Sequence, residues 1–422
     1  MRTITVVGLG YVGLPLACLC AEKDFDVYGA DIDKNKVSLI SQGISPIGDP
    51  DLKDAVKKTK GKIKATDNIG EAVKNSSIVI VCVPTPVDDD CLPNLRPLKS
   101  ACEEVSKSLQ KDTLVIIEST IFPGTTYEII LPILKKSNVD FYLSHCPERL
   151  DPGNKKFAIQ NIPRVVGGIN NESTKKAAEF YQKIIDADII ELSSVKAAEA
   201  TKIMENTFRD INIAFINEMA MSFDKEGIDI LEVIRGASTK PFAFMPHYPG
   251  TGVGGHCIPV DPYYLIEKAK QIGFSHKFLS LAREINNNMP NYTVKLLEEY
   301  LQKLKKTIKN AKIGVLGLAY KADVDDVRES PAFKIIKILK KKDADVFVFD
   351  PYVKKGTNVE NLNELLQKSD YIILVTAHNK FKNIDLNKLK ENNVKIVIDG
   401  RNCLDKEKIK SMGIMYHGIG RS

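Results

Sequence analysis

Nowhere in the 422 residues does an apolar run approach membrane-spanning length. The opening MRTITVVGLGYVG enters a strand pattern without a signal-like hydrophobic core. The eight cysteines (Cys18, Cys20, Cys82, Cys91, Cys102, Cys146, Cys257, Cys403) contain no CxxC pair and no metal-type spacing, so neither a metal centre nor a disulfide framework is expected. Free thiols suit a reducing cytoplasm. Low-complexity tracts are missing too, and so is any basic cluster with interleaved aromatics, so nucleic acid is not an indicated partner. The excess of +6 is small beside 60 basic and 54 acidic side chains. Such a balance is compatible with anionic small molecules.

What is present is alternation. TITVVGLG, DVYGADI, SIVIVCVPTP and TLVIIESTI are Val- and Ile-rich runs that end in turn residues, with amphipathic segments between them. That pattern predicts a parallel sheet wrapped by helices. From Val195 the pattern becomes a helix of more than thirty residues, stopping at Gly227 and apolar on most sides around INIAFINEMAM. It reads as a helix buried at the centre of the molecule or against a second copy. A shorter helical region follows, including DPYYLIEKAKQIG, with Pro262 at the first helical position. Near Lys312 the alternation restarts with KIGVLGLAY, DVFVFDP, YIILVTA and KIVIDGRN. The fold class is therefore α/β: two doubly wound, Rossmann-like domains joined by a long central helix. The expected boundaries are 1–194, 195–305 and 306–422.

GLGYVG places Gly8, Gly10 and Gly13 straight after a strand, with Tyr11 and Val12 inside the turn. Glycines there permit the tight turn, the approach of a pyrophosphate and helix–sheet packing, while the helix N-terminus favours the anion. Asp31 ends the next strand, where a carboxylate can take ribose hydroxyls and repel an extra 2′-phosphate. NAD is the expected cofactor. Val83, Pro84, Thr85 and Thr120 lie at later strand ends, the edge where open α/β sheets bind ligands.

Glu199, Lys202, Asn206 and Arg209 form a polar stripe on the long helix. A solvated stripe with a Glu199–Lys202 ion pair is the plain account; a polar stripe on so apolar a helix otherwise lines a cavity. Asp261 precedes Pro262 and suits a helix N-cap. Most unpaired cysteines are buried and inert, and Cys257 in PGTGVGGHCIPVDPYYL has that reading as well. Beside an NAD site these residues gain a joint purpose. Carrying an alcohol through an aldehyde to an acid requires a thiol that adds to the aldehyde, a cation for the oxyanion and a carboxylate for protons. Cys257, Lys202 and Asp261 match that set.

In order along nearly the whole chain, GLGYVGLPLA, VCVPTP, ESTIFPGTT, CPERLDPGN, KIMENTFRDINIAFINE, PGTGVGGHCIPVDPYYL, GLAYKADVDDVRESPA and IDGRN resemble the UDP-glucose/GDP-mannose dehydrogenase family. The resemblance implies NAD-dependent four-electron oxidation of a sugar nucleotide at C6. CPERLDPGN, STKPFAFMPHYPG and GGHCIPVDPYYL look most like the branch acting on UDP-N-acetylhexosamines. UDP-N-acetylglucosamine is the implied substrate, with UDP-N-acetylmannosamine the runner-up and UDP-glucose or UDP-N-acetylgalactosamine behind. By the same resemblance Cys257 is the nucleophile, Lys202 and Asn206 bind the oxyanion, and Asp261 handles protons with Lys202. Glu148 assists thioester hydrolysis and Thr120 orders the water. Arg149, Tyr248, Gly254, Lys321 and Arg401 contact the UDP-sugar with Glu148, Lys202 and Asn206, and Arg328 lies near the cofactor. A homodimer through the central helix is implied as well. Pro152 stands where glucose-specific relatives carry a second acid, and His256, beside the thiol, receives no role. A two-electron hydroxyacid dehydrogenase needs neither Cys257 nor residues 312–422, and a non-enzymatic nucleotide sensor would not need to retain Lys202, Asp261 and Cys257 together.

Overall fold

The computed structural model describes residues 3–86, 88, 93–150, 157–255 and 257–422; Cys91, Pro152 and His256 fall outside them. The chain divides into two compact units, Met1–Glu205 with Tyr263–Phe274, and Asn206–Pro262 with Ser275–Ser422. Among the described residues no helix is long and apolar enough to cross a membrane.

In the first unit, strands β1 (Thr3–Val7), β2 (Asp26–Ala30), β3 (Ile63–Thr66), β4 (Ile78–Val81), β5 (Leu114–Ile117), β6 (Tyr142–His145), β7 (Arg164–Gly168) and β8 (Ile189–Glu191) form one sheet. Their order is β3-β2-β1-β4-β5-β6-β7-β8, and every pairing is parallel except β6 with β7. β4 (IVIV) and β5 (LVII) are buried at every residue, as central strands covered on both faces require. The chain reverses its strand order beside β1, so the turn after β1 opens at the switch point where such sheets bind ligands.

The second unit repeats the plan with β9 (Lys312–Leu316), β10 (Asp345–Phe349), β11 (Tyr371–Leu374), β12 (Ile396–Asp399) and β13 (Met415–Gly418), all parallel, in the order β10-β9-β11-β12-β13. Even the turn chemistry is shared. Gly8 and Gly317 take φ of 95° and 100°. The next amides, Leu9 and Leu318, donate to Asp31 and Asp350 at 2.8 and 2.6 Å. The two aspartates then differ. Asp350 also accepts from the amides of Ala319, Tyr352 and Val353 and from His378 Nε2, whose Nδ1 accepts the Asp323 amide. Burial alone would raise its carboxyl, but these donors pull it down to about 2. Five donors exhaust a carboxylate's four lone-pair positions and leave none for a ribose.

The helix Val195–Glu226 ends at Gly227, which has the left-handed φ of 71°. It is not buried all round: Met204, Phe208 and Phe215 are 72%, 50% and 53% exposed. The shorter helical region expected after it contains a 27-residue helix, Lys277–Lys303, which continues through Pro290. Proline reads as a stop because it lacks an N–H and crowds the carbonyl four residues back. Here that carbonyl belongs to Asn286, whose buried side chain donates to Asp210 Oδ1 and O at 2.9 and 3.0 Å. Tertiary hydrogen bonds thus hold the turn that precedes the interruption.

Candidate active site

The turn after β1 is shaped for a dinucleotide. A Cβ on Gly8 would lie 2.9 Å from the Cys82 carbonyl oxygen, and one on Gly13 only 1.9 Å from the Gly8 carbonyl oxygen. Gly10 faces open space, leaving its backbone approachable by a pyrophosphate. Tyr11 and Val12 are half-buried beside it. Asp31 is buried, with Oδ2 on the Leu9 amide and Oδ1 on the Asp33 amide. Unlike Asp350, it keeps acceptor capacity for ribose hydroxyls. Gly13→Ala is expected to cost about 1–3 kcal/mol of stability, the scale of overpacking a closed site, and to weaken NAD binding. Thermal unfolding with and without NAD reads both effects; an unchanged NAD-dependent shift would refute the placement.

The loops beyond β4 and β5 are stitched together. Thr85 Oγ1 donates to the Thr120 carbonyl at 2.6 Å and Ser119 Oγ to the Val83 carbonyl at 2.7 Å. The Tyr264 hydroxyl reaches the Thr85 carbonyl. Thr85 therefore spends its hydroxyl on the loop, whereas Pro84 is exposed and Val83 and Thr120 are half-buried.

Glu148 follows β6 and is 7% exposed; Oε2 accepts the Leu150 amide and Oε1 lies 3.5 Å from Arg164. Arg149 is held by Glu205 (2.7 Å) and by the Pro163 carbonyl (2.8 Å). His145 is fully buried; burial, followed by the nearby Lys202 charge, pushes its imidazole down to about 3, so it is neutral.

Glu199 does not pair with Lys202. Its carboxylate accepts the amides of Gly124 and Thr126 at 2.5 and 2.7 Å and so fixes the turn after β5. Lys202 is 9% exposed and makes no hydrogen bond or ion pair among the described residues. Its largely buried stem with an uncommitted ammonium leaves that cation available to an incoming anion. One helical turn on, Asn206 Nδ2 donates to Asp261 Oδ2 at 2.5 Å. Asp261 is the first residue of the helix Asp261–Gln271, and its own amide donates to the Cys257 carbonyl at 2.8 Å. Helix entry thus sets Cys257 one turn before Asp261 and its partner Asn206. Arg209 is exposed; the buried stripe runs instead through Lys202, Asn206, Asp210 and Asn217.

The glycines before Cys257 turn out to pack the loop against the C-terminal domain. Cβ atoms on Gly250, Gly254 and Gly255 would meet Arg401 Nη1 at 2.7 Å, Tyr320 Cβ at 2.5 Å and the Tyr320 ring at 3.1 Å. The Gly250 amide donates to Asn217 Oδ1, Asn217 Nδ2 to Asn286 Oδ1, and Asn286 Nδ2 to Asp210, which Arg283 grips at 2.6 Å. Arg401 Nε donates to the Val375 carbonyl, and burial pulls its guanidinium below the ordinary range. Lys321 is half-buried after β9, Tyr248 is exposed, and Arg328 is gripped by Asp326 while its carbonyl accepts the Gly255 amide.

Sequence reasoning missed Asp210, Asn217, Asn286, Arg283 and Arg164. Two signals were there to read: a polar stripe continuing by steps of four, four and seven, and an arginine opening the apolar run RVVGG.

Three models described as the UDP-glucose/GDP-mannose dehydrogenase family match in order: the NAD binding domain at residues 2–185, the central domain at 196–288 and the UDP binding domain at 314–406. The chain is 39% identical over 425 residues, 99% of each chain, to the UDP-N-acetyl-D-mannosamine dehydrogenase of Pyrococcus horikoshii. It is 38% identical over 392 residues, 90% of this chain and 92% of the relative, to the UDP-N-acetyl-D-glucosamine 6-dehydrogenase of Pseudomonas aeruginosa. A solved structure of UDP-D-ManNAc dehydrogenase from P. horikoshii superposes with a TM-score of 0.92, at 38% identity and 99% coverage of both chains.

Proposed function

The chain belongs to the UDP-glucose/GDP-mannose dehydrogenase family, and from that premise we propose that it oxidises the C6 hydroxyl of a UDP-N-acetylhexosamine to the carboxylate, with Cys257 as covalent nucleophile. The observation that carries this reading is the buried, uncommitted Lys202 one turn from the Asn206–Asp261 pair that Cys257 precedes. Gly8, Gly10, Gly13 and Asp31 would hold NAD, and two NAD molecules bound in succession would each accept one hydride.

The side chains divide the remaining work. At the aldehyde stage the Cys257 sulfur bonds to C6 and the carbonyl oxygen becomes an alkoxide, stabilised by the Lys202 ammonium and the Asn206 amide. Loss of the second hydride from that carbon leaves a thioester. Water then bonds to C6, the C–S bond breaks, and Cys257 departs. Asp261 and Glu148 handle the protons of these steps, with Thr120 ordering the water. Arg401, Lys321, Tyr248, Gly254 and Arg149 are proposed contacts of the UDP-sugar and Arg328 of the cofactor side; Arg401 and Arg328 would have to exchange present partners for these roles, while Arg149 would add a contact to those it makes with Glu205 and Pro163.

For the sugar, UDP-N-acetylmannosamine comes first and its C2 epimer UDP-N-acetylglucosamine second, the reverse of the order that the motifs suggested. Full-length similarity to the mannosamine enzyme supports that order; the glucosamine enzyme supports the alternative. The exposed Met204, Phe208 and Phe215, on one face at steps of four and seven, suit a second copy of the chain, and the free thiols suit a cytoplasmic location. A panel of UDP-hexoses and UDP-N-acetylhexosamines assayed for NADH tests the whole reading. Two NADH per sugar nucleotide are expected, fastest with UDP-N-acetylmannosamine. One NADH with accumulating aldehyde rejects the four-electron route, and faster turnover of another sugar rejects the epimer.

A further inference from the structure

Arg164 opens β7 with its side chain 1% exposed. Withdrawing a guanidinium from water costs several kcal/mol, so its partners define its purpose. Nη1 lies 3.6 Å from Glu118 Oε1 and Nη2 lies 3.5 Å from Glu148 Oε1. Glu118 also accepts the Tyr181 hydroxyl at 2.5 Å, and the Tyr181 ring centre is 5.7 Å from the guanidinium carbon. Burial raises the Glu118 carboxyl, opposed by Arg164 and Tyr181.

Neutralising Glu118 alone would not require the second contact. Glu118 is sealed, whereas Glu148 is the more open carboxylate, with each oxygen assigned: Oε1 to Arg164, Oε2 to the Leu150 amide. The neighbouring residue returns the contact, since Arg149 Nη1 donates to the carbonyl of Pro163, the residue before Arg164. Segments 148–149 and 163–164 therefore hold each other, with both Glu148 oxygens facing a partner.

We propose that Arg164 is a positioning residue that fixes the Glu148 carboxylate for the hydrolytic half of the reaction, where Glu148 takes the proton of the water that cleaves the Cys257 thioester. This rests on the four-electron reading above. In the step, the water oxygen bonds to C6, the C6–S electron pair leaves with sulfur, and the proton passes to Glu148.

Arg164→Met alone strands Glu118 without a cation, so the test uses Glu118→Gln/Arg164→Met, which removes both charges together, with Arg164→Lys as the conservative variant. With NAD and the preferred UDP-sugar of the panel, stopped-flow absorbance of the double variant is expected to show two NADH per active site at close to the parent's rate. Steady-state turnover is expected to fall about 10²-fold, the lower end for a misplaced general base, while denaturing mass spectrometry finds the uronyl thioester on Cys257. Arg164→Lys is expected to recover part of the loss. Hydrolysis at the parent's rate overturns the inference, and so does equal slowing of burst and steady state, the mark of a merely structural role. Glu148→Gln separates the two levels. An adduct there with none in the double variant rejects Arg164 alone; one NADH and no adduct in both rejects the four-electron reading and this inference with it.

Discussion

Cys257→Ser is expected to lower acid formation by roughly 10⁴-fold or more, the scale seen when the nucleophile of a catalytic unit is removed, while leaving UDP-sugar binding near the parent's level. The backbone around Cys257 is held through its carbonyl, which accepts the amides of Val260 and Asp261 at 3.0 and 2.8 Å. Exchanging sulfur for oxygen leaves those bonds in place, so loop geometry survives and only the chemistry at the side chain changes. A serine hydroxyl is a far weaker nucleophile than a thiolate without a dedicated base. No other described thiol can stand in. Cys18, Cys20, Cys82, Cys102 and Cys146 are buried, and desolvation pushes Cys18 up to about 11 and Cys102, Cys146 and Cys403 up to about 12. The two measurements are calorimetric binding of the UDP-sugar and NADH released per sugar. Full turnover by the serine chain would remove Cys257 from the mechanism.

Arg283→Met is expected to destabilise the chain by about 3–5 kcal/mol, because it leaves a buried carboxylate without its cation. Arg283 and Asp210 are 5% and 1% exposed and 2.6 Å apart. Burial raises the Asp210 carboxyl, and Arg283 and Asn286 oppose that rise. With Arg283 gone the rise is larger, so the folded chain holds this proton to higher pH than the unfolded chain does. The deficit is therefore smallest in acid, where both states are protonated, and grows as pH climbs through the raised value. Asp210→Asn/Arg283→Met, which removes both charges, is expected to recover most of the loss. Urea unfolding at two pH values reads all of this. A loss in Arg283→Met that is small and independent of pH would defeat the argument. Since Asp210 leads through Asn286 and Asn217 to Gly250, turnover is expected to drop in the same variant.

The legible parts of the fold were those with strong periodicity. β1, β2, β4, β5 and β9–β12 announce themselves as Val- and Ile-rich runs, and the long helix stops at Gly227 where its left-handed φ permits. β3, β6, β7, β8 and β13 did not stand out because polar or glycine positions break their apolar runs, as in RVVGG and MYHG. The Lys277–Lys303 helix was hidden by Pro290, a local stop signal outweighed by hydrogen bonds that Asn286 donates to Asp210 and accepts from Asn217, over sixty residues away.

The sequence by itself determined the α/β class, the dinucleotide turn and the roster of reactive groups, because each of those is written in local spacing: glycines at fixed offsets, an acid at a strand end, a lysine and an asparagine one helical turn apart. Tertiary structure alone decided what each group is free to do. Asp31 and Asp350 occupy equivalent strand ends, yet only packing shows that Asp350 is saturated by five donors while Asp31 is not. Glu199 is committed to two amides and Lys202, a turn away, is committed to none among the described residues. The glycines before Cys257 make room for Arg401 and Tyr320. Hydrogen-bond capacity and burial are properties of neighbours that sequence distance does not encode, so the roster was local and its division of labour was not.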